Sequence, residues 1–507
     1  MSDRFGRRPG VVAAVASIAL GGAVLAGATP AIGTPVVSEQ RLDASDAEAF
    51  DAFGSAVAVS GDRVVAGAPN GDADEIDFGA VYVYEADGSG GWAERKLTAS
   101  DGAAGDQFGN AVAVSGDRIV VGAPSDDDRG TGSGSVYVFE ADGSGEWAEH
   151  KLTASDGESN DWFGHAVAVS GDRIVVGAPF DDDGASGSGS VYVFEPDGSG
   201  GWSEQKVTAS DGAADDTLGY SVAVSGDRIV AGARLDDDRG PESGSAYVFE
   251  ADGSGGWAEQ KLTASDGAAS DTFGFAVAVS GGRIVVGSRL DDDSGDASGS
   301  AYVFEADGSG GWAEQKLTAS DGAELDMFGH AVAISGDRIA VGARRHDGAG
   351  SDRGAVYVME LDGSGGWAEQ KLVASDGDDS DFLGTSLALS GDRVVAGTPF
   401  RIVGGAAYVF TLEPLVTDAD GDGVADSHDV CAGTELSQAA PAGLKKNRYW
   451  STATGAFVDA NGRLAPYTVA DTAGCSASQV IAVAGLGNGH TRFGITLSAL
   501  EAWVAAH

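Results

Sequence analysis

The residues with the clearest chemistry in this sequence are carboxylates in the stretch 418–429, which reads DADGDGVADSHD. Oxygen-bearing side chains fall at loop positions 1, 3, 5, 9 and 12, a backbone carbonyl falls at position 7, and a glycine occupies position 6, as calcium loops require. No helical pattern flanks the stretch, which argues against a paired EF-hand. We therefore predict one Ca²⁺ site with these ligands: Asp418, Asp420, Asp422, Val424, Asp426 and Asp429.

A second set of carboxylates recurs as three adjacent aspartates in four loops: Asp126–Asp128, Asp181–Asp183, Asp236–Asp238 and Asp291–Asp293. Adjacent carboxylates repel one another unless cations or water screen them. Two interpretations remain open for these loops, namely divalent-cation sites and solvated, turn-rich acidic loops. A further aspartate stands two residues before several Phe-Gly or Leu-Gly pairs, where it either closes the loop or binds metal: Asp106, Asp161, Asp216 and Asp271.

No arrangement of nucleophile and base marks the chain as an enzyme. The sequence has no HExxH helix motif, no phosphate-binding loop and no CxxC pair. His165 and His330 stand three repeats apart, so their positions do not indicate a ready pair of catalytic or metal-binding groups. We therefore expect a protein that binds rather than catalyses.

The charge balance excludes some partners. The chain carries 78 acidic and 31 basic side chains, a formal net charge of −47. Nucleic acid and anionic membrane surfaces are repelled by such a chain, whereas cations are attracted. Acidity of this degree is consistent both with solubility outside the cell and with a salt-rich habitat, where screening shortens the repulsion.

The first 28 residues predict export. Arg4, Arg7 and Arg8 precede the apolar stretch 11–28, which ends in the small residues Ala-Gly-Ala. We interpret residues 1–28 as a signal peptide and the mature protein as secreted or bound to the cell surface, with twin-arginine export as one route. No later segment is apolar enough to span a membrane.

Most of the remaining chain consists of a sequence repeat with a period of 55 residues. In the copy at 163–210, HAVAVS alternates as a strand does, and Gly171-Asp172 provides a two-residue turn of types that tolerate positive φ. RIVVGAP, SVYVFE and WSEQKVTAS follow as three further strands. Four short antiparallel strands per repeat predict the blade of a β-propeller.

The seventh copy, at 382–410, lacks a fourth strand, and the sequence VVSEQRLDAS at 36–45 supplies it. We therefore predict an all-β, seven-bladed β-propeller over residues 36–411, closed by its N-terminal strand in the last blade. Closure leaves no sheet face exposed at the ends of the array.

These repeats resemble the FG-GAP repeat of integrin α-subunit propellers, and more closely its short bacterial form. Phe108-Gly109 is followed by Val121-Gly122-Ala123-Pro124, and the Phe-Gly start, replaced by Leu-Gly in two copies, occurs seven times in all. The resemblance implies a propeller that adheres or binds a ligand. The calcium loop of integrin blades is not carried over, because the SGDR turn is too short; Asp62, Asp117 and Asp172 are interpreted as turn formers.

The repeats vary mainly in the two connections that share one face of the disc. The residue after each Phe/Leu-Gly also varies, being Ser55 in the first copy and Thr385 in the last. Variable loops on a constant scaffold are where recognition is expected. We predict a ligand face that includes the following residues: Asn110, His165, Tyr220, Phe275 and His330.

Beyond the propeller, residues 415–432 resemble a thrombospondin type 3 calcium repeat, because Val430-Cys431 follows the acidic loop. Residues 433–507 are predicted to form a small C-terminal module. Cys431 and Cys475, the two cysteines of the chain, are predicted to pair in an exported protein.

Together these features predict a monomeric, secreted or cell-surface, calcium-binding β-propeller that mediates adhesion or binds a protein or glycan ligand. Two alternatives remain open, namely an extracellular hydrolase or lyase and a structural component of a surface layer.

Overall fold

The structure of the protein is a computed structural model. It describes residues 36–71, 78–141, 146–308, 310–348, 350–361, 366–402, 404–412, 448–451, 456–459, 464–468, 480, 495–496 and 500. The predicted signal peptide, the calcium loop at 418–429 and both cysteines lie outside the described residues, so these three features stay predictions.

Seven four-stranded antiparallel sheets, here called blades 1 to 7, follow the repeat. The first strands of the blades are β2 (Ala56–Ser60), β6 (Ala111–Ser115), β10 (Ala166–Ser170), β14 (Leu218–Ser225), β18 (Ala276–Ser280), β22 (Phe328–Ser335) and β26 (Ser386–Ser390). The second strands are β3 (Arg63–Ala68), β7 (Arg118–Ala123), β11 (Arg173–Ala178), β15 (Arg228–Ala233), β19 (Arg283–Ser288), β23 (Arg338–Ala343) and β27 (Arg393–Thr398).

The third strands are β4 (Ala80–Ala86), β8 (Ser135–Ala141), β12 (Ser190–Pro196), β16 (Ser245–Ala251), β20 (Ser300–Ala306), β24 (Ala355–Leu361) and β28 (Ala406–Leu412). The fourth strands are β5 (Trp92–Leu97), β9 (Trp147–Leu152), β13 (Trp202–Val207), β17 (Trp257–Leu262), β21 (Trp312–Leu317), β25 (Trp367–Leu372) and, for blade 7, β1 (Val36–Leu42).

The ring closes as the missing quarter of the repeat predicts. β1 pairs antiparallel with β28, so that Arg41 is opposite Tyr408 and Leu42 is opposite Ala407. First strands of neighbouring blades contact one another, and β2 contacts β26 across the closure. The predicted all-β, seven-bladed propeller is confirmed.

The Phe-Gly and Gly-Ala-Pro pairs of the repeat are where neighbouring blades pack. Phe163 is fully buried and meets the ring of Tyr192 edge-on, with the ring centroids 5.3 Å apart. Gly164, at φ 89°, lies against Gly122 of the preceding blade, and a Cβ on Gly122 would collide with the carbonyl oxygen of Gly164. Only glycine at both positions allows the two backbones to approach this closely.

The SGDR turns differ in one respect from the prediction. Gly171 adopts φ 59°, but Asp172 does not take a positive φ, and even the Gly281-Gly282 turn has positive φ only at Gly281. A positive φ at the first central residue alone is characteristic of a type II′ turn. The turn therefore does not require an aspartate at its second central position, and this residue has a different role.

The aspartate takes part in a contact between adjacent blades that is made mainly by the arginine of the neighbouring turn, since the aspartate itself is largely exposed. Arg393 of blade 7 pairs with Asp62 of blade 1 at 3.3 Å and donates to the carbonyl of Gly61, while its guanidinium lies 5.4 Å from the ring centroid of Trp92. Arginine is suited to combine such ionic and cation–π contacts. The same stacking on the tryptophan of the next blade is made by Arg63, Arg118, Arg173, Arg228 and Arg283.

A further small sheet follows the propeller in sequence. Its strands are β29 (Arg448–Ser451), β30 (Ala456–Val458), β31 (Leu464–Thr468) and β32 (Ile495–Thr496), in the order β31-β30-β29-β32. Tyr449 and Phe457 are buried in it. Within the described part of the chain, no helix has the length and apolar character needed to cross a membrane.

Candidate ligand-binding face

The connections between second and third strands, and between each fourth strand and the next blade, emerge on the same side of the ring, here called the loop face. This follows from the antiparallel order of the strands in every blade. The SGDR turns and the turns between third and fourth strands emerge on the opposite side. The variable segments of the repeat are therefore gathered on the loop face, as the sequence predicts.

The aspartate triplets on the loop face each surround a lysine of the fourth strand. In blade 5 the ammonium of Lys316 lies 2.7 Å from Asp266 and 2.9 Å from Asp291, and it also pairs with Asp293. Tyr302 donates to both Asp266 and Asp291 at 2.8 Å. Every lysine between residues 36 and 411 occupies this position: Lys96, Lys151, Lys206, Lys261, Lys316 and Lys371.

This arrangement answers part of the question that the sequence leaves open. Asp291 is 3% exposed, so the first aspartate of a triplet is not a solvated residue. Burial alone would lower the pKa of Lys316, but hydrogen bonds with Asp266, Asp293 and Asp291 raise it above its ordinary value. The protein's own ammonium group takes the place among these carboxylates that a bound cation would take.

The remaining carboxylates of these loops accept hydrogen bonds from backbone amides of the same loops. Asp292, the second of its triplet, accepts a hydrogen bond from the amide of Ala297 at 3.0 Å. Asp271, the buried aspartate before Phe273-Gly274, accepts one from the amide of Ala268 at 2.7 Å. Both contacts close loops, and for Asp271 loop closure is one of the two roles that the sequence leaves open.

Blades 6 and 7 replace the first aspartate of the triplet. His346 occupies that place in blade 6, where its Nδ1 lies 3.0 Å from Asp326 and its Nε2 contacts Lys371. Arg401 occupies it in blade 7, where it pairs with Asp381 at 2.9 Å and Asp376 at 3.2 Å. In these two blades the polar cluster beneath the loop is therefore built from different residues.

The loops that enter each blade carry backbone strain. The residue before every Phe/Leu-Gly adopts a left-handed conformation without being glycine, and two of these residues are β-branched. Such conformations cost about 1–3 kcal/mol each and collect at functional sites. The residues are Ala52, Gln107, Trp162, Thr217, Thr272, Met327 and Phe382.

The predicted ligand-face residues lie side by side on the inner part of the loop face. Ring centroids are separated by 4.8 Å between His165 and Tyr220, by 5.3 Å between Tyr220 and Phe275, and by 5.0 Å between Phe275 and His330. Asn110 extends the row by donating to the carbonyl of His165 at 3.3 Å. We call the four rings the aromatic arc.

Both histidines of the aromatic arc are neutral near pH 7. Burial, with the charge of Arg234 nearby, lowers the pKa of His165 to about 4. Burial and the charges of Arg344 and Arg289 lower the pKa of His330 well below its ordinary value. Neutral imidazoles stack on neighbouring rings without the cost of burying a charge.

Three arginines beside the aromatic arc were missed in the sequence analysis. Arg234, Arg289 and Arg344 replace, in three successive blades, the proline of the Gly-Ala-Pro pattern. The guanidinium of Arg234 lies 4.2 Å from the ring centroid of Tyr220, and that of Arg289 lies 3.8 Å from that of Phe275. The repeated change from proline to arginine at one repeat position was the available signal.

Comparison with solved structures finds a distant similarity. The crystal structure of Chaetomium thermophilum Raptor aligns with 73% of this chain at 10% identity and a TM-score of 0.42. The alignment covers 29% of the Raptor chain. No protein of curated function matches the sequence.

Comparison with protein families is more informative. The FG-GAP repeat family matches seven segments, which together cover most of the chain: 36–84, 92–139, 147–194, 202–249, 257–304, 312–359 and 367–410. Each segment begins at a fourth strand and ends in the third strand of the following blade, so the match spans every junction between blades. The chain is therefore a member of the FG-GAP repeat family.

Proposed function

We propose that this protein is an exported binding protein that holds a protein or glycan ligand on its loop face. FG-GAP propeller repeats are typical of extracellular proteins, which agrees with the signal peptide predicted from residues 1–28. The observation that carries the proposal is the aromatic arc. Rings from adjacent blades, that of His330 buried and the other three partly buried, are gathered where the repeats differ most, and aromatic side chains are enriched in binding sites.

Calcium belongs to the proposal through residues 418–429, which carry the ligand spacing of a single Ca²⁺ loop. We assign this ion a role in the segment after the propeller, and none to the aspartate triplets. A requirement for calcium in ligand binding would link the two parts of the chain functionally.

The low pKa of the buried His165 in the aromatic arc favours binding over catalysis. A general base works best with a pKa near the operating pH, whereas burial lowers the pKa of His165 to about 4. A role in a surface layer is the remaining alternative, and ordered assembly of the purified protein without any ligand would support it.

The experiment is a pull-down from native medium or cell surface at native salt, followed by a panel of glycan and matrix ligands with and without chelator. The test variants are Tyr220→Ser and Phe275→Ser, which introduce the residue that blade 1 carries at Ser55. Ser55→Ala is the matched control. Loss of retention in the two test variants, with retention by the control, supports the proposal; equal retention by all three contradicts it.

A further inference from the structure

Three arginines in blades 4, 5 and 6 form a cationic rim on the loop face of an otherwise acidic protein. Arg234, Arg289 and Arg344 directly follow β15, β19 and β23, so they stand at the same height in neighbouring blades. We call this set the arginine rim. Blades 1, 2, 3 and 7 carry proline at this position: Pro69, Pro124, Pro179 and Pro399.

Aromatic rings hold the arginine rim in place. Arg234 lies over Tyr220 and Arg289 over Phe275, while the guanidinium of Arg344 is 5.4 Å from the ring centroid of Phe382. The Nη1 of Arg344 also lies 3.4 Å from the Nε2 of His330. Planar guanidinium groups stacked on rings keep their N–H edges available for other partners.

Among the described residues, no carboxylate accepts a hydrogen bond from the Nε atoms of the arginine rim. Within the described part of the chain, the Nε atoms of Arg234, Arg289 and Arg344 are buried and lack a hydrogen-bond acceptor. Arg345, directly after Arg344, pairs with Asp352 at 3.7 Å, and the charge of Asp352 also acts on Arg344, whose pKa is lowered by burial and by the charge of Arg345. The arginine rim contrasts with the arginines of the SGDR turns, which pair with acidic side chains.

A further buried nitrogen without a hydrogen-bond partner lies beside the arginine rim. His330 is 8% exposed, and its Nδ1 has no hydrogen-bond partner among the described residues. Buried polar atoms in native structures nearly always have a partner, and exceptions call for an explanation. Burial, together with the charges of Arg234 and Arg344, lowers the pKa of Arg289 to about 10, which still leaves it protonated at neutral pH.

We propose that the arginine rim binds an oxyanion, the carboxylate or sulfate group of a ligand, between Arg234, Arg289 and Arg344. An oxyanion accepts bidentate hydrogen bonds from guanidinium groups and offsets their mutual repulsion. The proposal rests on the proposed function and adds the chemical class of the ligand. The ligand carries one or a few anionic groups, because a long polyanion would be repelled by the net charge of −47.

Two sources can supply this oxyanion, namely a free inorganic ion and an acidic sugar. The aromatic arc favours the acidic sugar, because Tyr220 and Phe275 offer apolar surface beside the cationic groups. Binding pockets combine such surface with a few polar groups that fix orientation. The four probes are therefore sodium sulfate, galacturonate, a short oligogalacturonate and its neutral methyl ester.

The experiment measures binding of the four probes by calorimetry at constant ionic strength, with the complete exported chain. Arg289→Gln is expected to weaken oligogalacturonate binding by about tenfold or more, as the loss of a charged hydrogen bond predicts. Arg289→Pro, the residue of four other blades, gives a second test that preserves the repeat pattern. Arg129→Gln, which removes an exposed charge from the loop face of blade 2, is the matched control.

Binding of the acidic probe but not of its ester, reduced in both Arg289 variants and retained by Arg129→Gln, supports the proposal. Equal binding of sulfate and oligogalacturonate supports it with the free ion as the source. No binding of any anion by the parent, or unchanged binding by the Arg289 variants, overturns it. A panel ligand retained by both Arg289 variants would overturn this inference while leaving the proposed function intact.

Discussion

Arg41 lies 2.6 Å from Asp376, although 335 residues separate the two in sequence. Glu39, on the same strand, accepts hydrogen bonds from the amide and hydroxyl groups of Ser375 at 2.9 Å. The first described strand therefore makes the contacts that the fourth strand makes in other blades, where Ser155 donates to Glu204 at 2.7 Å in the same way.

The first prediction concerns this closure. Deleting residues 36–45 removes the outer strand of blade 7 and exposes the edge of β28, so the thermal midpoint should fall strongly or the protein should not fold. The Arg41–Asp376 pair alone contributes little, because its side chains are 41% and 44% exposed. Arg41→Gln should therefore cost less than about 1 kcal/mol. Differential scanning calorimetry of both variants measures the two effects. A deletion variant with the same thermal midpoint as the parent would refute closure by β1.

The second prediction tests the lysine among the aspartates. Lys316→Met removes the counter-charge of Asp291, which is buried, and should cost roughly 2–4 kcal/mol of unfolding free energy. The double variant with Asp291→Asn should recover part of that loss, because the uncompensated charge is gone. Urea unfolding of the single and double variants measures the coupling.

The same variant distinguishes the two interpretations of the aspartate triplets. Carboxylate oxygens of Asp266, Asp291 and Asp293 lie within 4.8 Å of one another, a spacing that suits a metal ion. With Lys316 replaced by methionine, millimolar Ca²⁺ should raise the thermal midpoint of the variant. The thermal midpoint of the parent, in which the lysine is present, should not change. To keep the loop at 418–429 from contributing, both proteins carry Asp420→Ala. Equal stabilisation of both would show that the lysine does not fill the site.

The third prediction concerns pH. Burial, with the charge of Asp181 adding to it, raises the pKa of Asp161 to about 6, and burial likewise raises the pKa of Asp271 to about 6. Between pH 4 and 6 the native state holds protons that the unfolded state has released, so stability falls as pH rises through this window. Above pH 6 both states are deprotonated and the slope from these groups vanishes.

Asp161→Asn and Asp271→Asn should flatten that slope. Each variant keeps a side-chain oxygen that can accept from the loop amide, at Glu158 and Ala268 respectively, and it avoids burying a charge. Above pH 6 each should be more stable than the parent by roughly 1–2 kcal/mol. Unfolding curves at several pH values test this, with Glu324→Gln, an exposed carboxylate in the loop that enters blade 6, as the control. A slope unchanged in both asparagine variants would contradict the assignment.

Much of the fold can be predicted from the sequence because the same strand pattern occurs in seven repeats. The period of 55 residues gives the blades, and the unmatched VVSEQRLDAS gives the closing strand. The Phe-Gly and Gly-Ala-Pro pairs mark the tight contacts between blades, since Gly122 and Gly164 have no room for a side chain. Alternating strands then leave few other arrangements open.

The polar contacts on the loop face could not be predicted in the same way. Lys316 meets Asp266 and Asp291 from positions 50 and 25 residues away, a relation that only the pairing of strands and the order of blades create. The arginine rim was equally hidden, because Arg234, Arg289 and Arg344 are neighbours only once blades 4, 5 and 6 stand side by side. Comparing each position across all repeats shows the repeated lysine and the change from proline to arginine, but not the contacts that these residues make.

The last prediction concerns the calcium loop at 418–429, which lies outside the described residues. Titration of the complete chain with Ca²⁺ should show one site per chain with the parent, because the sequence places six oxygen ligands around a single ion. Asp420→Ala removes a carboxylate at loop position 3 and should abolish the heat of binding. Asp392→Ala, in an SGDR turn of blade 7, is the matched control and should titrate as the parent does. If the heat of calcium binding persists in Asp420→Ala, the ion binds outside the loop at 418–429. If the heat is lost in both variants, calcium binding depends on the propeller instead.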